Sequence, residues 1–452
     1  MISELQLPTF MREKVSFLAA LARDMVRILP EFTADEFSDE GPEEIDERDI
    51  VELVSSLQAT EVDLALEEER KSNVWLPRNA YAAILQSSLD EYYRQNGSVI
   101  LAENRFGERL SDDPLISANL TSLANWTKSK AGRLRLNKRD PRWVLVLKAK
   151  AIKRRRGAAK FPDNSSRSTP VSSQARIVLL GDWGSGVPDA VKLANEIWNS
   201  YLLPDIGKKE LHIAHLGDVY YAGLKKEYTR NFLQHWPVPS VHATNVKSWC
   251  LAGNHDMFSG GKSYFDMLKD SRFAAQNQGS YFLLENTDWQ VFGLDTSFDP
   301  RDFTGNIGEL YGEQAAWVAN HRATVANKKC LMLTHHQPFS AYEPVAENLE
   351  RRLRPISALG QIDAWFWGHE HLCARYDQHD NIRYPVLLGH GGFPENPKTK
   401  LSSSPSVSYE WLVTDASGFL LFGFAVLDFD GGQIAVRLVD ENGNLQHSFT
   451  IV

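Results

Sequence analysis

"VLLGDWGSG", residues 178–186, carries three apolar residues into a turn that holds three glycines and one aspartate. These letters suit two chemistries. One is a glycine loop around a nucleotide phosphate; the other is a turn that presents Asp182 to a metal ion. No Lys-Ser/Thr follows, as a P-loop requires, and GDWGSG lacks the G-x-G-x-x-G register of a dinucleotide site. The choice rests on whether the pattern recurs.

It recurs four times. "LHIAHLGDVYYAG" (211–223) ends an apolar run at Gly217-Asp218, and "SWCLAGNHD" (248–256) ends one at Gly253-Asn254-His255-Asp256. "CLMLTHHQPFS" (330–340) ends one at His335-His336, and "DAWFWGHEHLC" (363–373) ends one at Gly368-His369-Glu370-His371. Each run reads as a central strand. Each is followed by groups that bind metals or carry protons, and open α/β sheets gather their sites at the carboxyl ends of strands. A lone Gly-Asp carries little weight. Five such ends together supply carboxylates, an amide oxygen and imidazoles, the donor mix of a two-metal hydrolase.

The ordered set GD, GD, GNHD, HH, GHEH resembles the calcineurin-like metallophosphoesterase superfamily over roughly residues 175–430. The first motif departs from the superfamily's commonest form, Asp-x-His, because Gly184 stands where the histidine would be. The second motif has a tyrosine three residues after Asp218. GDxG paired with GDxxY resembles the purple acid phosphatase branch, in which tyrosinate binds a ferric ion. The resemblance implies that Asp182, Tyr221 and His371 hold the first metal, Asp218 bridges, and Asn254, His335 and His369 hold the second. Tyr220 is then expected to pack beside its neighbour. Either histidine of the fourth motif suits a metal. The family places a serine about five residues after its ligand, and Ser340 fits that count from His335. The implied cofactors are two metal ions, Fe(III) with a divalent Fe, Zn or Mn. Phenolate is a hard anionic donor, and a tyrosine of pKa ~10 ionises beside a strong local charge.

The histidine of the family's GNH motif faces substrate, so His255 is expected to stabilise charge or protonate the leaving oxygen, with Asp218 as its catalytic partner. Asp256 is placed to orient His255. His336 and His390 are expected to contact substrate. His215, inside a strand, reads as a core residue. Asp295 in "VFGLDTS" reads as a structural turn, and Cys373 as a buried small apolar group.

The rest of the chain bounds this picture. Its 452 residues are 43% hydrophobic and 24% charged, which is globular composition with room for two or three domains. A formal net charge of −9 gives no global basic field for nucleic acid. Cys250, Cys330 and Cys373 are widely spaced, which argues against a disulfide framework or a cysteine zinc site and suits a reducing compartment. No run approaches the roughly 18 apolar residues of a membrane span. Leu18, Leu21, Met25, Ile28 and Leu29 instead mark one buried helical face, stopped by Pro30. A soluble cytoplasmic protein is expected.

Residues 1–160 read as a mostly helical region of no recognised family, acidic between Asp35 and Glu69 and basic over 128–160. The basic stretch reads as a solvated face. Its embedded "WVLVL" must pack on something, and no aromatics alternate with the charges as base-stacking platforms would. Nucleic acid binding there is the minor alternative. "FPDNSSRSTPVSSQ" (161–174) reads as a linker. Residues 175–452 are expected to form the catalytic domain, an α/β/β/α sandwich closed by three C-terminal strands with turns at Gly431-Gly432 and Asn442-Gly443.

The resulting expectation is a phosphoester hydrolase in which a metal-activated hydroxide attacks phosphorus in line. The substrate is a phosphorylated small molecule or nucleotide, and phosphomonoesters are favoured. Phosphodiester hydrolysis of cyclic nucleotides or nucleic acid is one alternative. A non-catalytic metal-binding regulatory module is another.

Overall fold

The five motif runs quoted above all become strands. The computed structural model describes Ala149, Lys153, residues 156–162 and residues 168–452, apart from 299–307, 326, 344–360, 403 and 416–417. The expected helical N-terminal region, its acidic segment and most of the basic stretch lie outside the described residues. The chain divides into two compact units, and everything described below except Ala149 belongs to the unit formed mainly by Ile152–Arg301 and Gly305–Val452.

Its strands form two mixed sheets. In order across the first lie β1 (Ser168–Pro170), β5 (Phe282–Glu285), β6 (Trp289–Gly293), β7 (Lys329–Thr334), β8 (Ile362–Trp367), β10 (Ile382–Leu388), β9 (Cys373–Tyr376) and β11 (Val407–Glu410). In order across the second lie β14 (Leu445–Ile451), β13 (Gln433–Asp440), β12 (Gly423–Asp430), β2 (Arg176–Leu180), β3 (Leu211–His215) and β4 (Val246–Cys250). β2, β3 and β4 run parallel, as do β6, β7, β8 and β10. The carboxyl ends of neighbouring motif strands therefore lie side by side within each sheet.

β2, β3 and β8 are buried along their whole length. That is why they read as unbroken apolar runs rather than alternating ones. Ile177, Leu179 and Leu427 of one sheet share a core with Val291, Leu331 and Phe366 of the other. Outside the sheets, Trp317 of a helix at Gln314–Thr324 packs on Phe292 of β6. Tyr201, in helical turns after Pro188–Glu196, packs on Phe424 of β12. The expected four layers are present.

The tail also folds as expected, β12, β13 and β14 pairing antiparallel and β12 joining β2. The Ser/Pro-rich stretch differs from the expectation. Ser168–Pro170 adds an edge strand to β5, a place where proline is tolerated. Phe161 sits among Tyr281, Phe298 and Tyr311 at ring distances of 5.7, 4.9 and 5.1 Å. The three cysteines are free and buried, Cys373 as expected. Among the described residues no helix is long and apolar enough to cross a membrane.

Candidate metal centre

Each motif strand delivers its polar residues just past its last apolar residue. β2, β3 and β4 of one sheet lead to Asp182, Asp218 and Asn254, while β7 and β8 of the other lead to His335, His369 and His371. Asp182, Asp218, His369 and His371 have φ of 58°, 77°, 75° and 56°. Left-handed backbone of this kind costs roughly 1–3 kcal/mol per residue and clusters at functional sites. The glycines admit the close approaches. A Cβ on Gly253 would stand 2.0 Å from Asp218 Oδ1.

Two donor groups result. Asp182, Asp218 and His371 offer atoms within 4.8 Å of one another. In the second group, Asn254 Oδ1 lies 3.0 Å from His335 Nε2 and 3.1 Å from His369 Nδ1, and those nitrogens are 3.2 Å apart. Asp218 spans both groups. Its Oδ2 is 3.3 Å from the Tyr220 hydroxyl, and its Oδ1 is 3.5 Å from His335 Nε2.

The donors fit metal ions chemically. His335 Nδ1 is 2.9 Å from the Leu216 carbonyl, so it carries the proton and Nε2 turns a lone pair toward Asn254 and His369. Burial holds His335 and His369 well below the usual imidazole range. With His369 Nδ1 unprotonated, these converging lone pairs suit a cation placed between them. The carboxylates suit one as well. Burial pushes Asp182 up to about 8 and raises Asp218, with Asp182 and Asp256 charges adding to the rise. Their ion-pair partners among the described residues are histidines. A multivalent cation reverses the cost of burying two such carboxylates together.

The tyrosine differs from the expectation. Tyr220, not Tyr221, reaches the first group. Its hydroxyl donates to Asp182 Oδ1 at 2.9 Å and lies 2.9 Å from His371 Nε2. Burial, then the charges of Asp182 and Asp218, holds this phenol well above its usual range, so it ionises only with a cation present. Tyr221 is buried against Phe393 and Tyr220. The physical reason lies in Gly184. Val219 bridges to Gly184, and Tyr220 N–H donates to the Gly184 carbonyl at 2.9 Å. The loop after β3 therefore lies on the loop after β2, and the Tyr220 ring follows that contact toward Asp182.

His255 N–H donates to Asp218 Oδ1 at 3.0 Å, and His255 Nε2 stands 3.9 Å from Asp218 Oδ2. Its orientation comes from the Tyr221 carbonyl, 2.5 Å from Nδ1. Asp256 does not orient His255 as expected. Its carboxylate accepts the N–H groups of Asp218, Val219 and Gly253 at 3.0, 3.1 and 2.6 Å, together with the Tyr228 hydroxyl. It ties the loops after β3 and β4 together.

His336 also belongs to the second group, since His335, His336 and His369 each offer a donor atom within 4.8 Å of one another. Its ring lies 4.7 Å from that of His369, and its Nδ1 is 2.9 Å from Thr296 Oγ1 and 3.4 Å from Ser297 Oγ. His390 is not among these residues. Its side chain packs against Trp411, 4.4 Å between rings, and burial pushes it down to about 3. It is Gly391, next along the chain, that bonds the Gly181 carbonyl. The expected substrate contact from His390 has no support in this placement. His215 is a core residue, as expected, and accepts the Trp183 N–H at Nε2.

Sequence reasoning passed over Phe393, which stacks on His371 at 4.2 Å and lies 5.0 Å from Tyr220. Its only signal was an aromatic residue after a Gly-Gly turn. Thr296 and Ser297, the hydroxyls beside His336, were missed for want of any local motif.

Asp295 closes a turn as expected, with Oδ1 accepting the Ser297 and Phe298 N–H groups. Burial pushes its carboxyl up to about 6. A raised carboxyl favours the protonated fold, so stability falls as pH climbs from the unfolded value near 4 through 6. Asp295→Asn should remove that fall, leaving the variant more stable than the parent at pH 7 by up to about 3 kcal/mol. Denaturant unfolding of both proteins at pH 4 and pH 7 checks it. A difference independent of pH would refute the assignment.

The two sheets place their donor groups at the carboxyl ends of their parallel strands. Residues 175–373 match the calcineurin-like phosphoesterase family. No curated protein matches the chain. Among solved structures, GAP50, the anchor in the inner membrane complex of Plasmodium, is 12% identical with a TM-score of 0.43. That alignment covers 61% of this chain and 88% of GAP50. A conserved uncharacterized protein of Streptococcus pneumoniae is 10% identical, over 61% of this chain and 95% of its own, with a TM-score of 0.28. Vps29 of Entamoeba histolytica complexed with zinc is 9% identical, over 61% and 99%, with a TM-score of 0.26.

Proposed function

We propose that this protein is a dinuclear metal-dependent phosphomonoesterase of the purple acid phosphatase type, acting in the cytoplasm. One observation carries the proposal: Asp218 joins two groups of converging donors, and His255 stands beside it. Asp182, Tyr220 and His371 would hold the first ion, Asn254, His335 and His369 the second, and Asp218 both. Tyr220 replaces Tyr221 in this set. A phenolate donor favours a ferric ion in the first position.

When bound, such a pair supplies Lewis acidity and lowers the pKa of water between the ions. The protein's own groups do the rest. The Tyr221 carbonyl fixes Nδ1–H of His255, so Nε2 takes up a second proton, and the resulting imidazolium would stabilise charge or deliver that proton to the leaving oxygen. Thr296 holds His336 Nδ1, and His336 would then offer its ring to a bound phosphoryl group. Buried donors of this kind are already oriented, so they need little reorganisation as charge develops. The three reduced, buried cysteines accord with the cytoplasm.

Metal analysis, a visible spectrum and turnover of an aryl phosphate monoester test this together. Two metals per chain, hydrolysis of the monoester faster than of the diester, and a tyrosinate charge-transfer band are expected. Tyr220→Phe should bleach the band and Tyr221→Phe should retain it. Failure of the fully loaded protein to hydrolyse any phosphoester would overturn the proposal. A colourless enzyme active with Zn or Mn would remove the ferric assignment alone.

A further inference from the structure

The Tyr220 phenol enters the site from a short loop, and something must hold that loop. Both peptide groups of Tyr220 are held. Its N–H donates to the Gly184 carbonyl, and its carbonyl accepts Asn231 Nδ2 at 3.0 Å. The next peptides are held by one carboxylate. Glu227, buried, accepts the Tyr221 N–H at Oε1, and the Ala222 and Leu224 N–H groups at Oε2 at 3.0 and 2.8 Å.

A carboxylate folded back onto three loop amides is costly to bury unless those bonds are made. It lies in a helical turn at Lys225–Glu227, where capping the turn itself would use Leu224 N–H alone. The bonds to Tyr221 and Ala222 go further, into the loop that carries Tyr220. Asn231 comes from the following helical turns and grips the same loop from its other side.

We infer that Glu227 and Asn231 are positioning residues that aim the Tyr220 hydroxyl at Asp182 and His371. The consequence for metal binding rests on Tyr220 being a ligand, as proposed above; the aiming itself does not. Glu227→Gln is the informative change. Its remaining carbonyl oxygen keeps the Ala222 and Leu224 bonds, while the amide releases the Tyr221 N–H next to Tyr220. Asn231→Ala releases the Tyr220 carbonyl independently.

The first readout needs no metal. With fluorotyrosine at position 220, the metal-free parent should give one dispersed fluorine resonance, and both variants should move or broaden it toward the free amino-acid value. Asp270→Ala, which removes a carboxylate that accepts the Arg272 N–H at 3.0 Å, is a control for loss of a local cap and should leave the resonance in place. The second readout is the affinity of the full-length protein for its first ferric ion, expected to fall about 10–100-fold with little change in the melting temperature of the metal-free protein. An unmoved resonance in both variants overturns the inference. A moved resonance with unchanged iron affinity keeps the aiming role and overturns Tyr220 as a ligand.

Discussion

Asp218→Asn should fold, bind fewer than two metals per chain and lose phosphoesterase activity by on the order of 10³-fold or more. The substitution keeps the shape and one oxygen acceptor, so the bond from His255 N–H can survive. It removes the charge that both donor groups share. Two cations a few ångströms apart repel unless an anion lies between them, and that electrostatic contribution is worth several kcal/mol, where each ~1.4 kcal/mol is tenfold in rate. The metal-free protein should respond in the other direction. Asp218 is buried beside Asp182 and Asp256, and their charges disfavour its own. Metal-free Asp218→Asn should therefore melt no lower than the metal-free parent. Melting curves with and without metal, set beside metal content and kcat/KM, separate the two effects. Full metal content with full activity would remove Asp218 from the bridging position.

Gly184→Ala should damage both the fold and the first metal position. A Cβ there would stand 2.8 Å from Val219 Cγ2, 2.9 Å from the Asp218 carbonyl and 2.9 Å from Val219 Cα. Two of those atoms are backbone and have no rotamer to escape into. Overpacking of this kind costs roughly 1–3 kcal/mol. The relief available is to part the two loops, which moves Tyr220 away from Asp182. Metal affinity should fall more than stability does. Gly184→His supplies the superfamily's commoner ligand and should still fail to restore metal binding to Tyr220→Phe, because the β3 loop occupies its space. Calorimetric metal titration with thermal melts checks both variants. Rescue by the histidine would mean that the two loops are independent.

Much of this centre was legible from strand ends alone. Asp182, Asp218, Asn254, His335, His369 and His371 come together because parallel neighbours place their carboxyl ends side by side, and a Gly-Asp or Gly-His turn marks each end. The tyrosine was not legible, because a count of residues after Asp218 cannot say which of two adjacent aromatic rings turns inward. That direction is set by Gly184, Glu227 and Asn231, one of them thirty-seven residues earlier and the others six and ten later than Tyr221. Asp256 was misread for a related reason. Adjacency to His255 suggested a hydrogen bond, whereas its carboxylate faces three amides of the loops around it. Ser168–Pro170 looked like linker because three residues at a sheet edge leave no hydrophobic period to detect. The helical expectation for residues 1–160 falls outside the described residues.

The donors do not come from one sheet. Asp182, Asp218 and Asn254 follow strands of the six-stranded sheet, and His335, His369 and His371 follow strands of the eight-stranded one. Ions bound as proposed would be held by both halves and would rivet the rim of the sandwich. During folding, neither half alone has a complete coordination sphere, so high-affinity metal capture must wait until the halves have docked. The time course of metal uptake is then a clock for that docking, and chelation should first loosen the seam between the halves while each keeps its internal ladder.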